Sequence, residues 1–257
     1  MAVKYSTQGL LIYTAMFFYL GAFVVSLARY RKLGSWLYFV GFCFAATTFL
    51  WRWIMVGYIP LQNLFEIFLL MGILVWPLTL FCSCFLKIDA GRFDMLIGFV
   101  VLLPAGFVFT AESKALPPAL QSWLFGPHVA VYMLAYIVMA KAAIEAARHL
   151  YRRSSSLEMS TYKMVRLGFG LLTAGLVLGS YWAKQAWGDW WGWDPKEMWS
   201  LAVWLIFAGY LHFRAVFAQK YAKVNSFWVI AGFSCIIICL MWVNLSKIFA
   251  GLHSYAY

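Results

Sequence analysis

Charge is what this chain has least of. Only 11% of its 257 residues are Asp, Glu, Lys or Arg, 65% are hydrophobic, and the mean hydropathy is +0.80. A soluble domain carries about 25% charged residues, so the scarcity excludes an ordinary water-soluble fold. Acids are the scarcer sign, 9 against 20 cations, for a net charge of +11. The cations are spread over short segments and form no continuous basic stripe, which points to anionic lipid headgroups and away from nucleic acid. A disulfide framework is lacking as well. Of the five cysteines, Cys82 and Cys84 fall at the inner end of an apolar run, where a reducing cytoplasm keeps thiols free, and Cys235 and Cys239 lie one helical turn apart as small packing residues. There is no internal repeat and no low-complexity linker. No small-residue cleavage site follows the first apolar run, which reads as a retained helix rather than a signal peptide.

What is present is a succession of apolar runs. A bilayer core takes roughly 20 consecutive apolar residues per helical span, and a helix keeps its backbone hydrogen bonds internal where water is absent. Runs at about 7–28, 34–51, 63–83, 94–110, 128–147, 167–182, 199–213 and 226–246 predict an all-α, polytopic integral membrane bundle of about eight transmembrane helices, a single membrane domain over 1–257. The polar stretch 148–166 reads as a hinge between a front and a back half. With the N-terminus outside, fourteen cations fall in inside connections and six outside. The positive-inside rule then puts both termini on the outer face.

Residues 187–199, WGDWWGWDPKEMW, hold five tryptophans in thirteen positions. In this topology they belong to an outer-face loop, 183–199, between the sixth and seventh spans. An interfacial aromatic belt accounts for two or three tryptophans. Five, with Trp182 just upstream, suit a platform for a large flat apolar ligand. Indole faces can stack on a conjugated ring, while Asp189, Asp194, Lys196 and Glu197 fix the loop or hold polar edges.

The four histidines are unevenly placed. His128, in FGPHVAVY, and His253, in GLHSYAY, fall on the same predicted face as the tryptophans. Two neutral imidazoles can ligate opposite faces of a haem iron. The sequence has no C-x-x-C-H, so any haem handled would not be kept covalently. His212 ends the seventh run, where it is either functional or snorkels to the headgroups. His149, among cations, reads as a solvated face. Glu66, in PLQNLFEIFLL, either complements a helix dipole or makes a polar contact that orients the loop or a ligand.

The segment LGSYWAKQAWGDWWGWDPKEMWSLAVWLIFAGYLHFR (178–214) resembles the tryptophan-rich WWD domain of the cytochrome c assembly family. With PLQNLFE and GLHSYA, it is most similar to the CcsA (ResC) branch of system II cytochrome c biogenesis. The similarity covers about a third of the chain, mostly in its second half. It implies haem handling for cytochrome c maturation in an energy-transducing membrane, bacterial or thylakoid, with the WWD loop on the periplasmic or lumenal side. His128 and His253 would ligate haem at the outer site and His212 at a membrane site, and Trp187, Trp190, Trp191, Trp193 and Asp194 would form the haem-holding motif. The cargo would be haem b, transported and not covalently retained. Implied partners are a CcsB (ResB) protein, with which the chain would be a subunit of a cytochrome c synthetase, the C-x-x-C-H segment of apocytochrome c, and an external thiol reductant. Asp189 departs from the pattern, since an aromatic or small residue is more usual there. No CcsB-like extramembrane domain is present, so that partner is expected as a separate chain. The alternatives are CcmC-like delivery to a chaperone without attachment, against which WDPKE and GLHSYA argue, a transporter for another planar apolar ligand, and a purely structural membrane subunit.

Overall fold

The computed structural model of the chain describes residues 6–88, 91–217 and 220–245, and among these every regular element is helical. The helices are α1 (Thr7–Leu27), α2 (Arg31–Val56), α3 (Leu64–Phe81), α4 (Gly91–Phe107), α5 (Phe125–Arg152), α6 (Ser155–Trp187), α7 (Pro195–Phe217) and α8 (Ala222–Ile237). π-helical turns prolong α3 over Cys82–Leu86 and α8 over Ile238–Trp242. Seven of the eight are long and apolar enough to cross a membrane. The exception is α4, whose 17 residues rise only about 25 Å at 1.5 Å each. All five cysteines are free thiols.

Several helices outrun the apolar stretches that predict them. α6 begins at Ser155 and α5 ends at Arg152, because a helix continues through charged residues once its apolar centre is anchored. The same extension corrects the reading of His149 and of the hinge. His149 is buried, with Nδ1 2.9 Å from Ser226 Oγ of α8. The stretch 148–166 is no hinge: Arg153, in the left-handed conformation at φ 50°, closes a tight turn directly from α5 into α6. The chain instead divides into two compact units, Met1–Leu116 and Pro117–Tyr257.

The first unit is α1 to α4 packed around one tyrosine. Tyr19 of α1 is fully buried, its hydroxyl donates to the Gly72 carbonyl of α3 at 2.9 Å, and its ring lies against Gly41 of α2 and Gly98 of α4. A Cβ at either glycine would come within 2.8 Å of that ring, so only glycine lets the four helices close on it. One end of this unit is fastened by a buried ion pair. Asn63 caps α3 by accepting from the Glu66 N–H, and Glu66 Oε2 accepts from the Gln62 N–H. Its Oε1 receives Nε and Nη2 of Arg52 at 2.9 and 2.8 Å, and Arg52 Nη1 donates to the Ala111 carbonyl. Glu66 therefore serves both the α3 terminus and a two-donor clamp.

The second unit is α5 to α8. At the α5 C-terminal end it buries a polar layer: Arg214 of α7 pairs with Glu158 of α6 at 2.5 and 3.1 Å and lies over the Tyr162 ring, while Lys141, Glu145 and His149 line α5. Buried charges persist only when paired, and this layer ties α6 to α7.

Replacing Glu66 by Gln leaves the Arg52 guanidinium buried without its counter-charge. The expected cost is about 3–5 kcal/mol, read as a lower thermal unfolding midpoint in detergent. The double variant Arg52→Met/Glu66→Met should regain most of the loss, and an unchanged midpoint in the single variant would deny the pair its role.

Candidate functional site

The tryptophan loop is built by the end of α6 and the start of α7. Gly188, at φ 88°, stops α6 by turning left-handed, with its N–H on the Lys184 carbonyl. The next helix opens with a capping box. Asp194 is the cap: its carbonyl accepts the Met198 N–H at 2.9 Å and its Oδ1 accepts the Lys196 N–H at 2.9 Å. Pro195 occupies the first helical position, where a missing N–H costs nothing. Glu197 Oε2 reaches back to the N–H groups of Gly192 and Asp194, at 2.8 and 3.2 Å, the reciprocal half of the motif. Both carboxylates are buried and bind loop backbone. The acids of WDPKE thus shape the loop, and Asp189 is exposed.

That frame sorts the indoles into two sets. Trp187 is half-buried and meets Trp182 edge to face at 4.7 Å. Trp190 and Trp193 are 49% and 67% exposed. Trp193 also has φ 55°, a backbone region uncommon for a bulky side chain and found where surrounding structure enforces it. Trp191 lies edge to face with Trp193, and its Nε1 is buried with no hydrogen-bond acceptor among the described residues.

His128 sits in the first turn of α5, beneath the same end of the unit. Its Nδ1 is 3.0 Å from the Gly175 carbonyl of α6. A carbonyl only accepts, so Nδ1 carries the proton and the lone pair is on Nε2, the form in which imidazole binds metals. The ring lies nearly parallel to Trp182, at 22° and 5.7 Å, and meets Tyr132 edge-on. Trp182 is itself held: 1% exposed, it donates Nε1 to the Ala119 carbonyl at 2.8 Å. It therefore touches both His128 and Trp187, coupling the histidine to the loop.

The remaining predicted residues are not all drawn together. His212 is exposed on α7, 17 residues on from Pro195 and so about 26 Å along the helix, toward the opposite end of the unit. Lys196 sits in the first turn of α7, its N–H within the capping box. Glu66 belongs to the first unit, where it binds Arg52. His253 lies outside the described residues. Trp182, Gly175 and Gly179, which composition undervalues, form the setting of His128. Their signal is the small-xxx-small spacing of Gly175 and Gly179, which permits close helix approach in membranes.

A chain whose described elements are all helical, with seven helices long and apolar enough to cross a membrane and a capped, tryptophan-rich loop near His128, is a polytopic integral membrane protein. Residues 51–250 match the cytochrome C assembly protein family, and the chain belongs to that family, with a role in cytochrome c maturation. It is 31% identical to the cytochrome c biogenesis protein CcsA of Prochlorococcus marinus (strain MIT 9515), over 98% of this chain and 93% of the relative. The corresponding protein of Guillardia theta is 32% identical over 80% of this chain and 79% of its own. Among solved structures, the cytochrome c haem lyase CcmF superposes with a TM-score of 0.69 at 22% identity, over 91% of this chain. That likeness is one of fold, and this chain spans 47% of the CcmF chain.

Substitutions at two positions test how the loop is framed. Asp194→Ala should lower stability by about 1 kcal/mol and Asp194→Ser should retain it, as expected for a helix cap. Trp193→Gly relieves the positive φ and should raise the unfolding midpoint by the equivalent of about 0.5–1 kcal/mol. A lower midpoint for Trp193→Gly would mean that packing, not strain, dominates there.

Proposed function

We propose that this chain holds haem b non-covalently at the tryptophan loop, with His128 and His253 as axial ligands, and presents it for attachment to apocytochrome c. The observation that carries this reading is the hydrogen bond from His128 Nδ1 to the Gly175 carbonyl, which orients the ring and makes Nε2 the nitrogen suited to a metal. The exposed faces of Trp190 and Trp193 suit stacking on a porphyrin, and the Trp191 Nε1 without an acceptor among the described residues is a donor suited to a polar edge of that ring. Haem supplies the two vinyl groups with which substrate thiols react.

Each thiol of a C-x-x-C-H segment adds across one vinyl C=C: a carbon–sulfur bond forms, the S–H bond breaks, and the hydrogen passes to the other vinyl carbon. Nothing is oxidised or reduced, but the thiols must arrive reduced, which requires an external thiol reductant. The chain's contribution is orientation, which can replace a large part of a bimolecular barrier. Its indoles cover one part of the macrocycle, its histidines set the iron, and the capping box keeps the loop in shape. His212 would bind haem arriving from the inner side. A CcsB-type partner completes the synthetase, and the loop faces the periplasm or lumen.

Replacing His128 by Gly should shift the absorption of bound haem away from the six-coordinate low-spin form and lower thioether formation on a C-x-x-C-H substrate by at least tenfold, with free imidazole partly restoring both. Unchanged spectra would exclude His128 as a ligand. For the side of the loop, alkaline phosphatase fused after residue 192 should be active and after residue 156 inactive. The reverse pattern would invert the topology.

A further inference from the structure

We propose that the cleft between the Pro118–Gln121 turn and the C-terminal end of α6 binds an extended, unfolded polypeptide through its backbone amides, and that its occupant is the chain flanking the C-x-x-C-H segment of the substrate. The choice of occupant rests on the attachment function proposed above. The cleft lies within the second unit and has a volume of about 420 Å³, suited to a short segment rather than a folded domain. Ala119, Gln121, Ser122 and Trp123 line one side, and Gln185 and Ala186 of α6 the other.

Two hydrogen bonds fasten the turn to α6 and so preform the cleft. The Ala119 carbonyl accepts from Trp182 Nε1 at 2.8 Å, and Ser122 Oγ, which accepts the Leu124 N–H, donates to Gln185 Oε1 at 3.0 Å. With Oε1 engaged, Gln185 presents its NH2 group, a pair of donors, and Gln121 adds a second carboxamide. The Trp123 indole is 76% exposed. Among the described residues no charged side chain lines the cleft. A phosphate headgroup or a carboxylate would call for a cation there. Carboxamides, a hydroxyl and an indole instead match a neutral ligand that alternates donors and acceptors beside apolar groups, which is what a backbone outside secondary structure offers. Position points to the substrate. Trp182, which holds Ala119, also meets Trp187 edge to face at 4.7 Å and lies over His128, so one indole links the wall of the cleft to the residues proposed to hold haem.

The test measures binding of dye-labelled peptides to the purified protein by fluorescence anisotropy. Each peptide carries serine for both cysteines of the C-x-x-C-H segment, with flanking chain on both sides or with none. The flanked peptide should bind at least tenfold more tightly than the bare segment. Trp123→Ala and Gln185→Ala should each weaken the flanked peptide by about fivefold, the effect of one lost hydrogen bond or packed ring, with unfolding midpoints that match the wild type because both positions are exposed. N-methylation of the flanking amides should weaken binding to the wild type by a similar factor. Equal affinity for flanked and bare peptides, or unchanged affinity in both variants, overturns the inference, and an N-methylated flank that binds as well as its parent overturns recognition through the backbone. If the flanked peptide binds as expected while its cysteine form acquires no haem, the attachment function fails and the cleft stands as a polypeptide site.

Discussion

The close approach of α5 to α6 is the constraint on which the second unit depends. Three glycines of α6 make it possible, each accepting a large side chain of α5 against bare backbone: Gly168 faces Met139, Gly175 faces Tyr132, and Gly179 faces His128. Without a hydrophobic driving force between helices in lipid, such packing and the hydrogen bonds it permits are what hold a bundle together. The same approach brings the Gly175 carbonyl to His128 Nδ1. One packing solution thus fixes the tautomer, the ring plane and the place of the indole that covers it.

From that interface the loop follows. Trp182, one turn beyond Gly179 on α6, turns inward to His128 and Trp187, and Gly188 then ends the helix. Asp194 Oδ1 and Glu197 Oε2 accept from backbone N–H groups, so the loop is framed by its charges and leaves its aromatic surface for something else. Trp193 is held exposed in a backbone conformation that costs energy. Strain of that kind is tolerated where an arrangement serves binding rather than stability. WDPKE, which looks like a mixture of unrelated chemistries, is a helix start with one displayed indole.

Much of this was legible in the amino-acid order, and the failures have physical causes. The helices were readable because runs of roughly 20 apolar residues leave few alternatives in a membrane. Their ends were not, because hydropathy is blind to a helix that continues into charged residues, as α5 and α6 do. His149 and the 148–166 stretch were misread for that one reason. The division of the chain falls at Leu116/Pro117, away from the most polar segment, because the polar residues there close a helical hairpin. Asp194, Pro195 and Glu197 at their spacing announce a capping box, and Gly175 and Gly179 announce close packing. No local pattern reveals that Trp182 donates to Ala119, 63 positions away, or that Glu66 is committed to Arg52.

The most direct test of the central claim is the visible spectrum of the wild-type protein purified with its native pigment, followed by acid extraction. A non-covalent, bis-imidazole site predicts a six-coordinate low-spin haem spectrum, a pyridine adduct of the b type, and complete removal of the pigment into acidified solvent. A protein that carries no tetrapyrrole, and that takes up none when haem is supplied, would contradict the account.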